Sequence, residues 1–270
     1  MSFHVTRFAR SAATYESQAR IQHLLAERLL ALWDKPSEPS AILELGCGTG
    51  LLTRRLLRRF PGAHVLATDG AWQMLAQARL LCAGKGGEKL SFAQQDAEGG
   101  APAEPELWSR APYGLVTSSA LVQWFPDIER HLRFVAGLVE PEGFYLVSSF
   151  TDSNFPELNA LLASPPFCYR NFPGLVAEKL DESARRAGFT LQAFQETEDR
   201  EVLPTPRMVL KRIQSLGASR NPRDGGRLTK ATLEGLLDSY ADHYGERGGV
   251  RLTWKSCVAL LRRSSSGCAG

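Results

Sequence analysis

Apolar positions along the 270-residue chain change period several times, and each change marks an element. From about Tyr15 to Trp33, the apolar series Ile21, Leu24, Leu25, Leu29 has helical spacing, and "DKPSEPS" then breaks it. "AILEL" is a short continuous apolar run, as expected of a parallel strand covered on both faces. "LLTRRLLRRF" returns to the helical period, with Leu51, Leu52, Leu56, Leu57 and Phe60 on one face. "HVLATD", "AWQMLAQARLLC" and "LSFAQQD" then read as strand, helix and strand. "YGLVTSS" follows as a strand, "DIERHLRFVAGLV" as a helix and, after an "EPEG" turn, "GFYLVSSF" as a strand. "LVAEKLDESARRAGF" predicts one more helix, and "TLQAFQETEDREVL" and "GVRLTWKSCVALLRR" predict two late strands.

This alternation, with connections of a few residues, predicts a doubly wound α/β sheet from about Ser40 to Phe150. Two stretches fall outside it. Residues 151–174 are long and interrupted by prolines, and residues 205–248 read as a two-helix insertion. Additions of that length in a compact α/β domain more often cover a site than lie idle. The expected organisation is a single domain over 1–270. It comprises an N-terminal helical cover (1–39), a cofactor-binding core (40–150), two lid or substrate insertions (151–174 and 205–248) and a disordered tail (264–270).

Composition narrows the chemistry. With 43% hydrophobic residues the chain can bury a substantial core, and a net charge of +3 is too small to predict nucleic-acid or membrane binding. Cys47, Cys82, Cys168, Cys257 and Cys268 form no CxxC pair, and the five histidines are equally scattered. No metal site is therefore expected, and a reducing cytoplasm is the natural compartment. No apolar run approaches the ~18 residues of a membrane span. "TRFARSAATYESQARIQ" mixes Arg and Ser as a transit peptide does, but the apolar series from Ile21 makes it the opening helix of a folded domain.

The chemistry concentrates after "AILEL". Gly46, Gly48 and Gly50 place GxGxG between a strand and a helix, where glycine lets the backbone turn sharply or approach a ligand. A dinucleotide fingerprint wants its third glycine one place later, where Leu51 stands, and a P-loop needs Gly-Lys-Ser/Thr where the chain has Gly-Leu-Leu. Three acids accompany the turn instead. Glu44 precedes it, Asp69 ends the next strand, and Asp96 ends "FAQQD". Asp69 is placed to accept from ribose hydroxyls and Asp96 from an adenine amine. Carboxylates at all three positions would repel phosphates, which suits S-adenosylmethionine. Strand-end aspartates also serve as helix caps, and Trp72 and Met74 read equally as core or as contacts to the adenosine.

"ELGCGTG", the strand-end Asp69 and "QDAE" resemble the class I S-adenosylmethionine-dependent methyltransferases. The resemblance implies a Rossmann-like fold: a seven-stranded, mostly parallel sheet with helices on both faces and helical lid insertions. It also implies a cofactor site of Glu44, Gly46, Cys47, Gly48, Gly50, Asp69, Gly70, Met74, Asp96, Ala97, Ser118 and Ala120. Three stretches outside the core, "RFARSAATYESQA", "SSALVQWFPD" and "MVLKRIQSLGA" with "LTKATL", are similar to the malonyl-acyl-carrier-protein O-methyltransferases of biotin synthesis. The long approach to the fourth strand, "EGGAPAEPELWSRAPYG", departs from that pattern near Asp96.

On that resemblance the acceptor is the free carboxylate of a malonyl thioester on an acyl carrier protein. Such a carboxylate, with a pKa near ~4, is ionised at neutral pH and needs no general base. The protein would then supply alignment and exclude water. Tyr15 would close over the cofactor, Gln123 and Trp124 would line the acceptor pocket, and Lys211 or Arg212 would hold the malonyl carboxylate, with Arg170 and Arg207 behind them. An acidic carrier could dock on Arg54, Arg55, Arg58 and Arg59, or on the insertion's basic "LKRIQSLGASRNPR". The expected enzyme is a monomer that binds neither nucleic acid nor membrane. A small-molecule carboxylate methyltransferase, a non-catalytic cofactor-binding module and an NAD-dependent dehydrogenase remain the alternatives.

Overall fold

The computed structural model describes residues 20–97, 111–163, 174–215 and 229–265. In chain order the elements are α1 (Arg20–Ala31), β1 (Ala41–Leu45), α2 (Leu51–Arg59), β2 (His64–Asp69), α3 (Trp72–Leu81), β3 (Leu90–Gln94), β4 (Tyr113–Ser119), α4 (Ile128–Ala136) and β5 (Val139–Phe150). They continue with α5 (Pro156–Ala163), α6 (Ala177–Arg186), β6 (Phe189–Leu203), α7 (Pro206–Ser215), α8 (Lys230–Tyr244), β7 (Gly245–Glu246) and β8 (Gly249–Arg263).

The sheet runs in the order β3-β2-β1-β4-β5-β8-β6, and the two-residue β7 pairs with β8 as an eighth strand. The first five strands of that path are mutually parallel, while β8 is antiparallel to both neighbours. Alternation sorts the strand side chains onto two faces. Ile42, Val65, Leu115 and Leu146 join a core with α1 and α2, and Leu43, Leu66, Val116 and Tyr145 join another with α4 and α6. With both faces covered, the central strands can be apolar almost throughout. The strand order reverses between β1 and β4, so the crevice at their carboxyl ends is the place where an open α/β sheet binds ligands.

One expectation changes. The "EPEG" stretch does not turn the chain. It lies inside β5, where the β4–β5 register shifts and Glu142 takes φ +67°, so the break is absorbed as an irregularity within one strand. Ser264, placed in the expected tail, donates its N–H to Gly188 O at 2.9 Å, and residues 266–270 lie outside the described residues.

The described helices of the insertions have a defined seat. β5 pairs with β8 only as far as Phe150↔Ser256, while β6 and β8 continue together to Leu203↔Val250. The β6–β8 ladder therefore overhangs the carboxyl edge of the parallel strands, the same edge that carries the glycine turn. α5, α7 and α8 pack on this overhang. Buried Glu157 of α5 accepts from Thr253 N–H and Arg251 Nε, both at 3.1 Å, and from the Thr253 hydroxyl. Glu201 holds α7 by accepting from Arg212 Nε at 3.1 Å and Nη2 at 3.2 Å, and from Trp254 Nε1 at 2.8 Å.

Candidate cofactor site and acceptor pocket

The three turn glycines all take positive φ, at +70°, +55° and +80° for Gly46, Gly48 and Gly50, but they do different things. A Cβ on Gly46 would sit 2.9 Å from the Leu121 side chain, and one on Gly50 would sit 2.9 Å from Cys82 Sγ. Those two glycines let neighbouring elements close. A Cβ on Gly48 would meet nothing within 4 Å. Gly48 is therefore the turn glycine whose Cβ position opens onto free space.

Asp69 ends β2 beside this turn. Its Oδ2 accepts from Gly48 N–H at 2.9 Å, and its Oδ1 accepts from Ala71 N–H at 2.8 Å. Burial pushes its carboxyl above the ordinary carboxylate range, and the two backbone donors oppose that shift. Each oxygen keeps acceptor capacity for a further donor, such as a ligand hydroxyl. Gly70 is held from the next strand, its carbonyl accepting from Gln94 Nε2 at 2.9 Å.

Glu44 is less a strand tip than the sequence suggests. It is the penultimate residue of β1, buried, and its Oε2 accepts from the Thr53 hydroxyl of α2 at 2.5 Å. Burial pushes this carboxyl up to about 7, with the Thr53 bond opposing. Cys47 anchors the turn through its N–H to Thr68 O at 2.8 Å, and burial holds its thiol well above the ordinary range. Asp96 lies two residues past the end of β3 and is exposed, and the adjoining Ala97 is buried. Met74 is core, whereas Trp72 at the start of α3 is 59% exposed.

On the other side of the crevice, β4 ends in Ser118 and Ser119, and Ala120 follows at φ +52°, an uncommon conformation for a residue with a Cβ. Ala120 N–H donates to Ser148 O at 3.0 Å. Gln123 is nearly buried, its Nε2 donating to Ala120 O at 2.7 Å and its Oε1 accepting from Ser149 Oγ at 3.1 Å. It thus braces the loop after β4 against β5, and Trp124 beside it is half-buried. The sequence did not single out His131, whose ring is buried in α4 between Ala97 O and the Tyr145 hydroxyl. The available signal was a lone histidine on the apolar face formed by Ile128, Leu132 and Val135.

Arg212 is engaged by Glu201, while Arg207 and Lys211 are exposed on α7. On α2, Arg55 is drawn to Glu27 at 3.0 Å and to His23 Nδ1 at 2.9 Å, which leaves Arg58 and Arg59 as the exposed part of that basic face. Tyr15 and Arg170 lie outside the described residues, as do Cys168 and Cys268. Among the described residues, no cluster of three or more His, Cys, Asp or Glu could hold a metal, and no helix is long and apolar enough to cross a membrane.

Comparison with known proteins agrees with this geometry. A family described as a methyltransferase domain matches residues 43–145, from β1 into β5. Residues 43–145 thus carry the match to a methyltransferase domain, within an α/β fold shared with solved methyltransferase structures. A solved structure of a candidate methyltransferase from Bacillus halodurans superposes with a TM-score of 0.62 at 15% identity, covering 88% of this chain and 98% of the other. Among curated proteins, the malonyl-[acyl-carrier protein] O-methyltransferase of Chlorobium phaeovibrioides is 28% identical, over 95% of this chain and 94% of its own length. The protein of the same name from Geobacter sulfurreducens is also 28% identical, over 95% and 96%. The methyltransferase domain thus sits within a likeness that continues through both insertions.

Proposed function

We propose that this protein is a malonyl-acyl-carrier-protein O-methyltransferase. It transfers a methyl group from S-adenosylmethionine to the free carboxylate of a malonyl thioester, an early step of biotin synthesis. The observation that carries this reading is the extent of the likeness: relatives bearing that name align along 95% of the chain, including α7 and α8, which lie outside the generic cofactor core.

The residues present suit the cofactor. Bound S-adenosylmethionine supplies an electrophilic methyl on a sulfonium. Gly48 lets backbone lie against the ligand, Asp69 accepts from ribose hydroxyls, and exposed Asp96 accepts from the adenine amine. No phosphate-binding lysine follows the turn, and a phosphate here would face the Asp69 carboxylate.

The malonyl carboxylate enters already ionised, so these residues need to align and desolvate it rather than remove a proton. Gln123 and Trp124 frame the acceptor side at the end of β4. The overhanging β6–β8 ladder with α5, α7 and α8 is the cover that excludes water. Since Arg212 is already neutralised by Glu201, Lys211 and Arg207 are the better candidates to meet the malonyl group or its acidic carrier.

The test is the rate of labelled methyl transfer to malonyl-acyl carrier protein, malonyl-coenzyme A, and free di- and tricarboxylic acids. Preference for a malonyl thioester supports the assignment. Transfer to a free acid with none to either thioester overturns it in favour of a small-molecule methyltransferase.

A further inference from the structure

The buried ring of His131 is a titratable group near the crevice that the reading above leaves unused. α4 turns Ile128, Leu132 and Val135 into the core, and His131 lies on that same face, 1% exposed. A histidine there is costly unless both nitrogens are bonded. Both are. Nδ1 lies 3.1 Å from Ala97 O, and Nε2 lies 2.9 Å from the Tyr145 hydroxyl, which is 2.7 Å from Ser118 Oγ. The Phe125 ring closes one side of the imidazole at a centroid distance of 4.7 Å.

The chemistry of these groups fixes the proton order. A carbonyl can only accept, so Nδ1 carries the hydrogen. Burial holds the ring neutral, with its pKa pushed down to about 4, so Nε2 accepts from the Tyr145 hydroxyl. Tyr145 O then accepts from Ser118 O–H. Every polar group in the series is satisfied in this one direction, and Ser118, Tyr145 and His131 are each 0–1% exposed.

The ends of the series lie just past the end of β3 and near the end of β4. Ala97 follows Asp96 in a segment that has left the β3 ladder. Ser118 pairs with Leu45, the residue before Gly46, and two positions later comes the strained Ala120 that Gln123 braces. A single ring on α4 thus ties the Asp96 loop to the tip of β4 from beneath.

We propose that His131 is a positioning residue for methyl transfer: its Nδ1 bond to Ala97 sets the Asp96 loop for cofactor binding, and its Nε2 bond through Tyr145 to Ser118 sets the tip of β4 for acceptor alignment. This rests on the methyltransferase reading above.

Two substitutions separate the bonds. His131→Asn keeps an N–H near the Nδ1 position and loses the reach to Tyr145. His131→Gln places its amide near the Nε2 position and loses Ala97. Calorimetry with S-adenosylmethionine alone, and kcat on malonyl-acyl carrier protein at saturating cofactor, then read the two ends independently. The expected result is crossed. His131→Asn keeps the cofactor Kd within about twofold and lowers kcat about tenfold, while His131→Gln raises Kd about tenfold, speeds amide exchange at residues 95–97, and keeps kcat within about threefold. Tyr145→Phe should follow His131→Asn, and it decides the matter if either histidine variant fails to fold. Kd and kcat moving together in all variants, or neither moving, would overturn the inference and leave His131 a purely structural group. Wild-type protein that binds no S-adenosylmethionine would overturn the underlying reading instead, and the inference with it.

Discussion

Asp69 and Gly48 are joined at the tips of adjacent strands, the Asp69 carboxylate accepting the Gly48 N–H at 2.9 Å. One carboxylate therefore shapes the glycine turn at Gly48, the one of the three turn glycines whose Cβ position is open. Replacing Asp69 with Asn preserves size but removes the charge and half the acceptor capacity. We expect Asp69→Asn to weaken S-adenosylmethionine binding at least tenfold by calorimetry, with a smaller effect on the melting temperature.

The three glycines should separate in the same way. Gly48→Ala meets no atom within 4 Å and bears only the left-handed backbone cost, about 1–2 kcal/mol. Gly46→Ala and Gly50→Ala bear that cost and also crowd Leu121 or Cys82 at 2.9 Å. Gly48→Ala should lose the most cofactor affinity for the least loss of stability. Thermal melts beside calorimetry check the ordering, and equal loss of stability at all three positions would contradict it.

Glu44 predicts a pH signature. Its folded value of about 7 stands above the ordinary 4.5, so the folded chain holds a proton that the unfolded chain has released across that window. The contribution is present in full below about 4.5 and is lost as pH rises through about 7, on the order of 3 kcal/mol in all. Urea unfolding at pH 5 and pH 8 should show wild type losing stability between them by more than Glu44→Gln does. Parallel pH profiles would show that Glu44 is ionised throughout.

Arg212 and Lys211 are neighbours in sequence with opposite expected phenotypes. Arg212→Ala strips the guanidinium from Glu201, leaving a carboxylate only 13% exposed with Trp254 Nε1 as its remaining donor partner among the bonds described above. A loss of about 1–3 kcal/mol is expected. Lys211 is exposed, so Lys211→Ala should leave stability within about 0.5 kcal/mol and raise KM for the malonyl carrier, more at low salt than at high. Chemical denaturation and steady-state kinetics on the two variants distinguish these outcomes.

Much of this architecture can be read directly in the chain, for identifiable reasons. β1, β2 and β4 are near-continuous apolar runs because both their faces are covered, and Asp69 stands out as a charge where such a run stops. "EPEG" misleads because proline and glycine signal a turn and a strand irregularity alike. Glu44 looks like a ligand-facing acid until Thr53, a full turn beyond the glycines, is brought against it. Glu201 and Trp254 reach Arg212 from β6 and β8, and no local pattern announces that meeting. His131 and Tyr145 are single polar residues within apolar faces, legible as oddities but not as a pair until the fold brings α4 against β5.

The most direct test of the central claim is the intact mass of malonyl-acyl carrier protein after incubation with this protein and S-adenosylmethionine. A gain of one methylene, about 14 Da, located on the malonyl group by fragmentation and absent with Asp69→Asn at limiting cofactor, is the expected result. An unchanged carrier mass, under conditions where calorimetry shows the cofactor bound, would contradict it.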